Sequence, residues 1–228
     1  MVLGIIRLLA AILFLYLTWR KLKENYQEEK LITYSWLAML TFMIGGRVVF
    51  GLVNWGVWNE QWTDWLSIWQ QPGFNYWGGI GTMLLMTGWY CRANGWKLWS
   101  FLEDMTPIIY LLGGLLLADE WVRTGFGIKI GIWMAAALLG WVIFKLVSKK
   151  YRSYRWYKSG KKGFGWFFTN TVIFLILALV GVFYLKDFLA AVILAILGLL
   201  SLTGLFILGE VFNNLLIFGQ RRNSEKKE

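Results

Sequence analysis

Arg47 stands inside a membrane-length apolar run, directly after Gly45 and Gly46. A guanidinium in hydrocarbon is costly unless a partner or water meets it, so an arginine kept there points to a ligand or to an ion pair. The two glycines ahead of it remove side chains where another helix or a lipid can approach the backbone. The chain leaves this run through Trp55, Trp58, Trp62, Trp65 and Trp69. It re-enters an apolar stretch through Pro72, Gly73, Phe74, Asn75, Tyr76, Trp77, Gly78 and Gly79. That second stretch reads as an entry turn followed by a glycine-lined helix start.

Other chemistry-bearing groups are few. Arg7 lies about two turns into the first apolar segment, where snorkelling to the nearer interface is the plain reading. Glu103 and Asp104 lie near the start of the fourth segment, Asp119, Glu120 and Arg123 near its end, and Glu210, Asn213 and Asn214 in the last. The chain has no histidine, which removes imidazole bases, Ser-His-Asp hydrolysis and histidine metal sites. Cys91 is the single cysteine, so no intrachain disulfide forms, and it reads as an inert small residue.

The elements that must position these groups are membrane helices. The 228 residues are 58% hydrophobic, with a mean hydropathy of +0.54. Several windows longer than about eighteen residues carry few or no charges. Sixteen tryptophans and ten tyrosines suit helix ends at the headgroup level. The expected fold is an all-α integral membrane protein of seven transmembrane helices, at about 2–19, 31–57, 73–93, 98–121, 126–147, 164–185 and 188–218. Residues 1–220 form one membrane domain and 221–228 a charged tail. Basic residues follow the first segment rather than precede it, so that segment reads as a retained helix and not a cleaved leader.

Charge sets the orientation. The turns after helices one, three and five, with the C-terminus, hold eighteen Lys and Arg, and the opposite turns hold only Arg123, Lys129 and Lys186. The positive-inside rule then gives an N-out, C-in topology. Arg47 falls about 24 Å above Leu31, in the outer half of the bilayer. Trp58, Trp62, Trp65 and Trp69 recur at helical spacing in a stretch too polar to span. They predict a short amphipathic helix on the outer leaflet between helices two and three.

The net charge of +10 raises nucleic acid as a partner. Tyr151, Tyr154, Trp156 and Tyr157 do interleave with Lys149, Lys150, Arg152, Arg155, Lys158, Lys161 and Lys162. Directly cytoplasmic of a helix, this run suits anionic lipid headgroups better, and no nucleic-acid partner is expected. No internal repeat is visible, which gives an inverted-repeat transporter no support.

The two runs around Arg47 resemble the bacterial prolipoprotein diacylglyceryl transferases. That family carries Gly-Gly-Arg in one helix, an aromatic-flanked loop, and Gly-x-x-x-His-Gly-Gly at the start of the next. Gly73 to Gly79 has that frame, with Trp77 at the histidine. Cys91-Arg92-Ala93-Asn94 is similar to the family's basic turn, and Asp104 with Thr106-Pro107 to its Asp-x-x-Ala-Pro. Gly113-Gly114 falls in its glycine-rich stretch. The likeness covers roughly 45–125, and the family's seven-helix N-out, C-in architecture agrees with the charge count.

There are departures. At the family's Gly-Arg-x-x-Asn this chain reads Leu116-Leu117-Ala118-Asp119-Glu120, with Leu117 at the arginine and Glu120 at the asparagine. The family's later His-Pro-x-Gln-Leu-Tyr-Glu and its sixth-helix arginine have no counterpart.

The resemblance implies transfer of diacylglyceryl from phosphatidylglycerol to the thiol of a lipobox cysteine, in the bacterial cytoplasmic (inner) membrane and without a cofactor. On that reading Arg47 holds the phosphate, aided by Arg123, and Asn75, Tyr76 and Trp77 frame the headgroup. Glu120 is then the candidate catalytic base. Partners are phosphatidylglycerol or another anionic phospholipid, and lipobox-bearing preproteins.

Two alternatives stay open. Arg47 can instead pair with Glu120 or Asp119 as a structural bridge. The chain can also be a non-catalytic receptor for phospholipid or lipoprotein precursor. A small transporter or scramblase is weaker, because intramembrane charges are few. Glu103, Asp104 and Glu210 are expected to pair with loop cations such as Arg92 or Lys97.

Overall fold

The computed structural model describes residues 2–54, 74–123, 125–151, 157 and 161–209. Among them the chain is helical throughout, in seven α-helices with no strand. These are α1 (Val2–Leu22), α2 (Glu28–Val53), α3 (Tyr76–Ala93), α4 (Leu98–Arg123), α5 (Ile128–Ser148), α6 (Phe164–Val180) and α7 (Phe188–Gly209). A π turn, Gly181–Leu185, extends α6. Among the described residues, α2, α4, α5, α6 with its π turn, and α7 are each long and apolar enough to cross a membrane.

The helix ends follow local chemistry. Glu28 and Glu29 occupy the first turn of α2, where carboxylates favour the partial positive charge of a helix N-terminus. That places the start three residues before Leu31. Helix α3 starts at Tyr76 because the Asn75 side chain accepts the Gly78 N–H at 2.9 Å. Pro107 lies within α4. The amphipathic helix expected over 58–71 lies outside the described residues, as do Glu210, Asn213, Asn214 and the tail 221–228.

The chain divides into two compact units, Ala11–Leu98 and Met1–Ala10 with Trp99–Glu228. In the first, α2 and α3 run antiparallel and are tied at both ends. Tyr90 donates its hydroxyl to the Lys30 carbonyl at 2.8 Å, and the Asn75 N–H donates to the Gly46 carbonyl at 3.0 Å. Leu31, Tyr34, Ala38, Met83, Tyr90 and Cys91 are buried in this unit. The Tyr34 and Thr87 hydroxyls meet at 3.0 Å, so both buried polar groups are satisfied.

In the second unit, α5, α6 and α7 pack through Ala136, Ile173, Leu177, Ala178 and Leu194. Small residues set the spacing of the helices. A Cβ on Gly140 would enter the Tyr110 ring, and one on Gly198 would lie 3.0 Å from Leu175. Tyr110 closes its own polar end by donating to Asn170 Oδ1 at 2.8 Å.

Candidate functional site

The glycines before Arg47 are a packing seam. A Cβ on Gly45 would collide with Thr82, and one on Gly46 with the ring of Phe74. From the other side, a Cβ on Gly78 would strike Val49, and one on Gly79 would lie 2.8 Å from the Phe42 carbonyl. Four glycines in two pairs therefore bring α2 and α3 to backbone contact. The sequence left open whether a helix or a lipid fills the space beside Gly45 and Gly46; α3 fills it. Thr82 seals the seam by donating to the carbonyls of Thr41 and Gly78, each at 2.9 Å.

The seam delivers the sequence-predicted residues of this unit to one end of the helix pair. Gly46 is bonded to Asn75, so Arg47, next in the chain, sits at the level where α3 begins. Arg47 is half-buried, with its guanidinium carbon 5.9 Å from the Phe50 ring centroid. Asn75 spends its side-chain oxygen on the helix cap. Tyr76 is half-buried and its ring lies 5.1 Å from that of Phe74, which in turn packs 5.1 Å from Phe42. Trp77, at the position of the family's histidine, is half-exposed.

The second unit holds a half-buried ion pair that the sequence did not mark. Arg7 donates from Nε to Asp119 Oδ2 at 2.9 Å, and its Nη2 lies 3.9 Å from Glu120 Oε2. The Asp119 side chain is 1% exposed, while that of Arg7 is 49% exposed. Asp119 Oδ1 is buried with no hydrogen-bond partner among the described residues. Arg7 is therefore a partner of the candidate base Glu120, where snorkelling was the plain expectation. A signal did exist. On the topology expected from the charge count, residue 7 and residues 119–120 fall at similar depth, and both runs carry charge in otherwise apolar segments. Arg123 is the last residue of α4.

Asp104 meets the expectation of a loop cation, and the pairing expected for Glu103 with a loop cation such as Arg92 or Lys97 is corrected. Glu103 accepts the backbone N–H of Gly163 just ahead of α6, and Tyr151 and the Gly165 N–H bond to it as well. A carboxylate on α4 thus caps α6, the end where helix dipoles favour negative charge. Gly163 has φ of 120°, a left-handed conformation that suits glycine, and a Cβ there would also lie 2.9 Å from Leu208. Asp104 pairs with Lys162 at 3.8 Å.

Two tyrosines of the basic run, Tyr151 and Tyr157, are anchors. Tyr151 and Tyr157 are buried against Phe164, at 5.1 and 4.6 Å between ring centroids. Neither ring is free to stack on a base. Among the described residues no group of three or more metal-ligating side chains gathers.

A family model described as prolipoprotein diacylglyceryl transferase matches residues 2–117, which takes in α1, α2, α3 and most of α4. The match includes Arg47 and the glycine seam and stops short of Asp119, Glu120 and Arg123. No curated protein and no solved structure matches the chain. With just over half of its length matched, and with the Gly-Gly-Arg seam inside that half, the chain belongs to the prolipoprotein diacylglyceryl transferase family.

Proposed function

We propose that the chain is a divergent phosphatidylglycerol–prolipoprotein diacylglyceryl transferase of the bacterial inner membrane. Its seven helices span N-out, C-in as one membrane domain. The observation that carries the reading is the family match together with the seam inside it. The Gly46–Asn75 hydrogen bond puts Arg47 level with Asn75 and Tyr76.

The chemistry follows from those groups. The Arg47 fork pairs with two phosphate oxygens of the lipid headgroup, and Arg123 adds to the field. Asn75, Tyr76 and Trp77 frame the headgroup. Glu120 takes the proton of the lipobox thiol. The thiolate sulfur attacks the glyceryl carbon, a C–S bond forms, and the C–O bond to phosphate breaks. Glycerol phosphate departs carrying the electron pair, and the arginine stabilises that charge.

One observation favours a second reading, a non-catalytic receptor for phospholipid or lipoprotein precursor. Glu120 lies beside Arg7, next to an Asp119 already paired with it, as a structural bridge would. Purified protein in phosphatidylglycerol micelles with a lipobox peptide separates the two. A diacylglyceryl mass gain on the peptide cysteine supports the enzyme. Phosphatidylglycerol binding without that gain supports the receptor.

A further inference from the structure

We propose that the groove between the C-terminal half of α1 and the N-terminal half of α2 is a binding site for one anionic phospholipid, separate from the Arg47 site. The groove is open along its outer side, has a volume of about 310 Å³ and is lined by Leu15, Tyr16, Trp19, Ile32, Ser35 and Trp36. Ser35, the one aliphatic hydroxyl in it, is turned to its own helix and bonded to the Leu31 carbonyl at 2.8 Å. What remains is an apolar slot that suits an acyl chain.

The rim carries the selectivity. One turn beyond Tyr16, Arg20 donates to the Tyr16 hydroxyl at 3.1 Å, with its guanidinium 5.8 Å from the ring centroid. One turn beyond Trp19, Lys23 holds its ammonium 4.3 Å from the Trp19 ring. Two of the three rings that line the slot, Tyr16 and Trp19, are the ones that hold the two cations. Glu28 accepts the Trp19 N–H at 3.3 Å, which lowers the charge at the rim without cancelling it. Tyr16, Trp19 and Trp36 are residues that settle at headgroup depth, which puts the cations at phosphate level with the slot beneath. An acyl tail enters the slot and the phosphate meets Arg20 and Lys23. With the N-terminus outside, this lipid belongs to the inner leaflet.

The test is native mass spectrometry of the full chain in detergent, titrated with phosphatidylglycerol or with phosphatidylcholine of the same chain length. Native protein, an Arg20→Gln/Lys23→Gln variant and a Leu15→Trp variant are compared, each checked by gel filtration. Arg20 and Lys23 are exposed, so the charge variant keeps the fold. Native protein is expected to carry one more tightly bound phosphatidylglycerol than either variant, with about ten-fold preference over phosphatidylcholine. The lipid at Arg47 remains in all three and leaves the difference unchanged. The proposal is overturned if the charge variant binds as the native does, or if phosphatidylcholine fills the site equally. It is also overturned if Leu15→Trp folds and retains the extra lipid.

Discussion

Asn75 donates its backbone N–H to the carbonyl of Gly46 at 3.0 Å, and so ties the first residue before α3 to the residue before Arg47. This bond turns two sequence motifs, far apart in the chain, into one place. It exists because Gly45, Gly46, Gly78 and Gly79 let two backbones approach where any side chain would intervene.

The seam predicts a sharp contrast between glycines. Gly46→Ala would drive a methyl into Phe74, and the overpacking is expected to cost about 1–3 kcal/mol and to displace Arg47. Gly81→Ala faces nothing within 4 Å among the described residues and is expected to be neutral. Thermal unfolding of both variants in detergent measures this. Equal melting temperatures would mean that the seam does not set the packing.

Arg7 and Asp119 should behave as one unit. Arg7→Leu leaves a buried carboxylate unpaired and is expected to cost about 3 kcal/mol. Arg7→Leu with Asp119→Leu should recover most of that loss. A double-mutant cycle by thermal unfolding reads the coupling directly. Additive losses would show that Arg7 and Asp119 are not coupled.

Glu103 is predicted to hold the start of α6. Glu103→Ala removes the acceptor for the Gly163 N–H and should destabilise by about 1–3 kcal/mol. Glu103→Gln keeps an oxygen there and should lose less. Hydrogen exchange at the first turn of α6 checks the location, since faster exchange confined to that turn is expected. Unchanged exchange in Glu103→Ala would place the cap elsewhere.

The helices were legible because apolar runs of membrane length admit little else. The starts at Leu98, Phe164 and Phe188 agree to the residue with the hydropathy pattern. The Gly-Gly-Arg frame was legible as a resemblance, and the family match bears it out. Side-chain pairing was less visible. Arg7 and Asp119 are 112 residues apart, and a one-dimensional pattern shows depth but not which helix is next to which. Glu103 was assigned to the nearest loop cations because sequence shows charges and hides backbone donors. Its partner is the Gly163 N–H, sixty residues on, beside a glycine whose left-handed φ no hydropathy pattern reveals. The same limit applied to Tyr151 and Tyr157, which looked exposed among lysines and are buried on Phe164.

The most direct measurement is the rate of diacylglyceryl transfer from phosphatidylglycerol to a lipobox peptide by native protein and by Arg47→Ala. Native protein is expected to transfer, and loss of the phosphate-binding fork should slow it by roughly 100-fold, with Arg47→Lys recovering part of the rate. Transfer that proceeds equally in Arg47→Ala would contradict the assignment of Arg47 to the lipid phosphate.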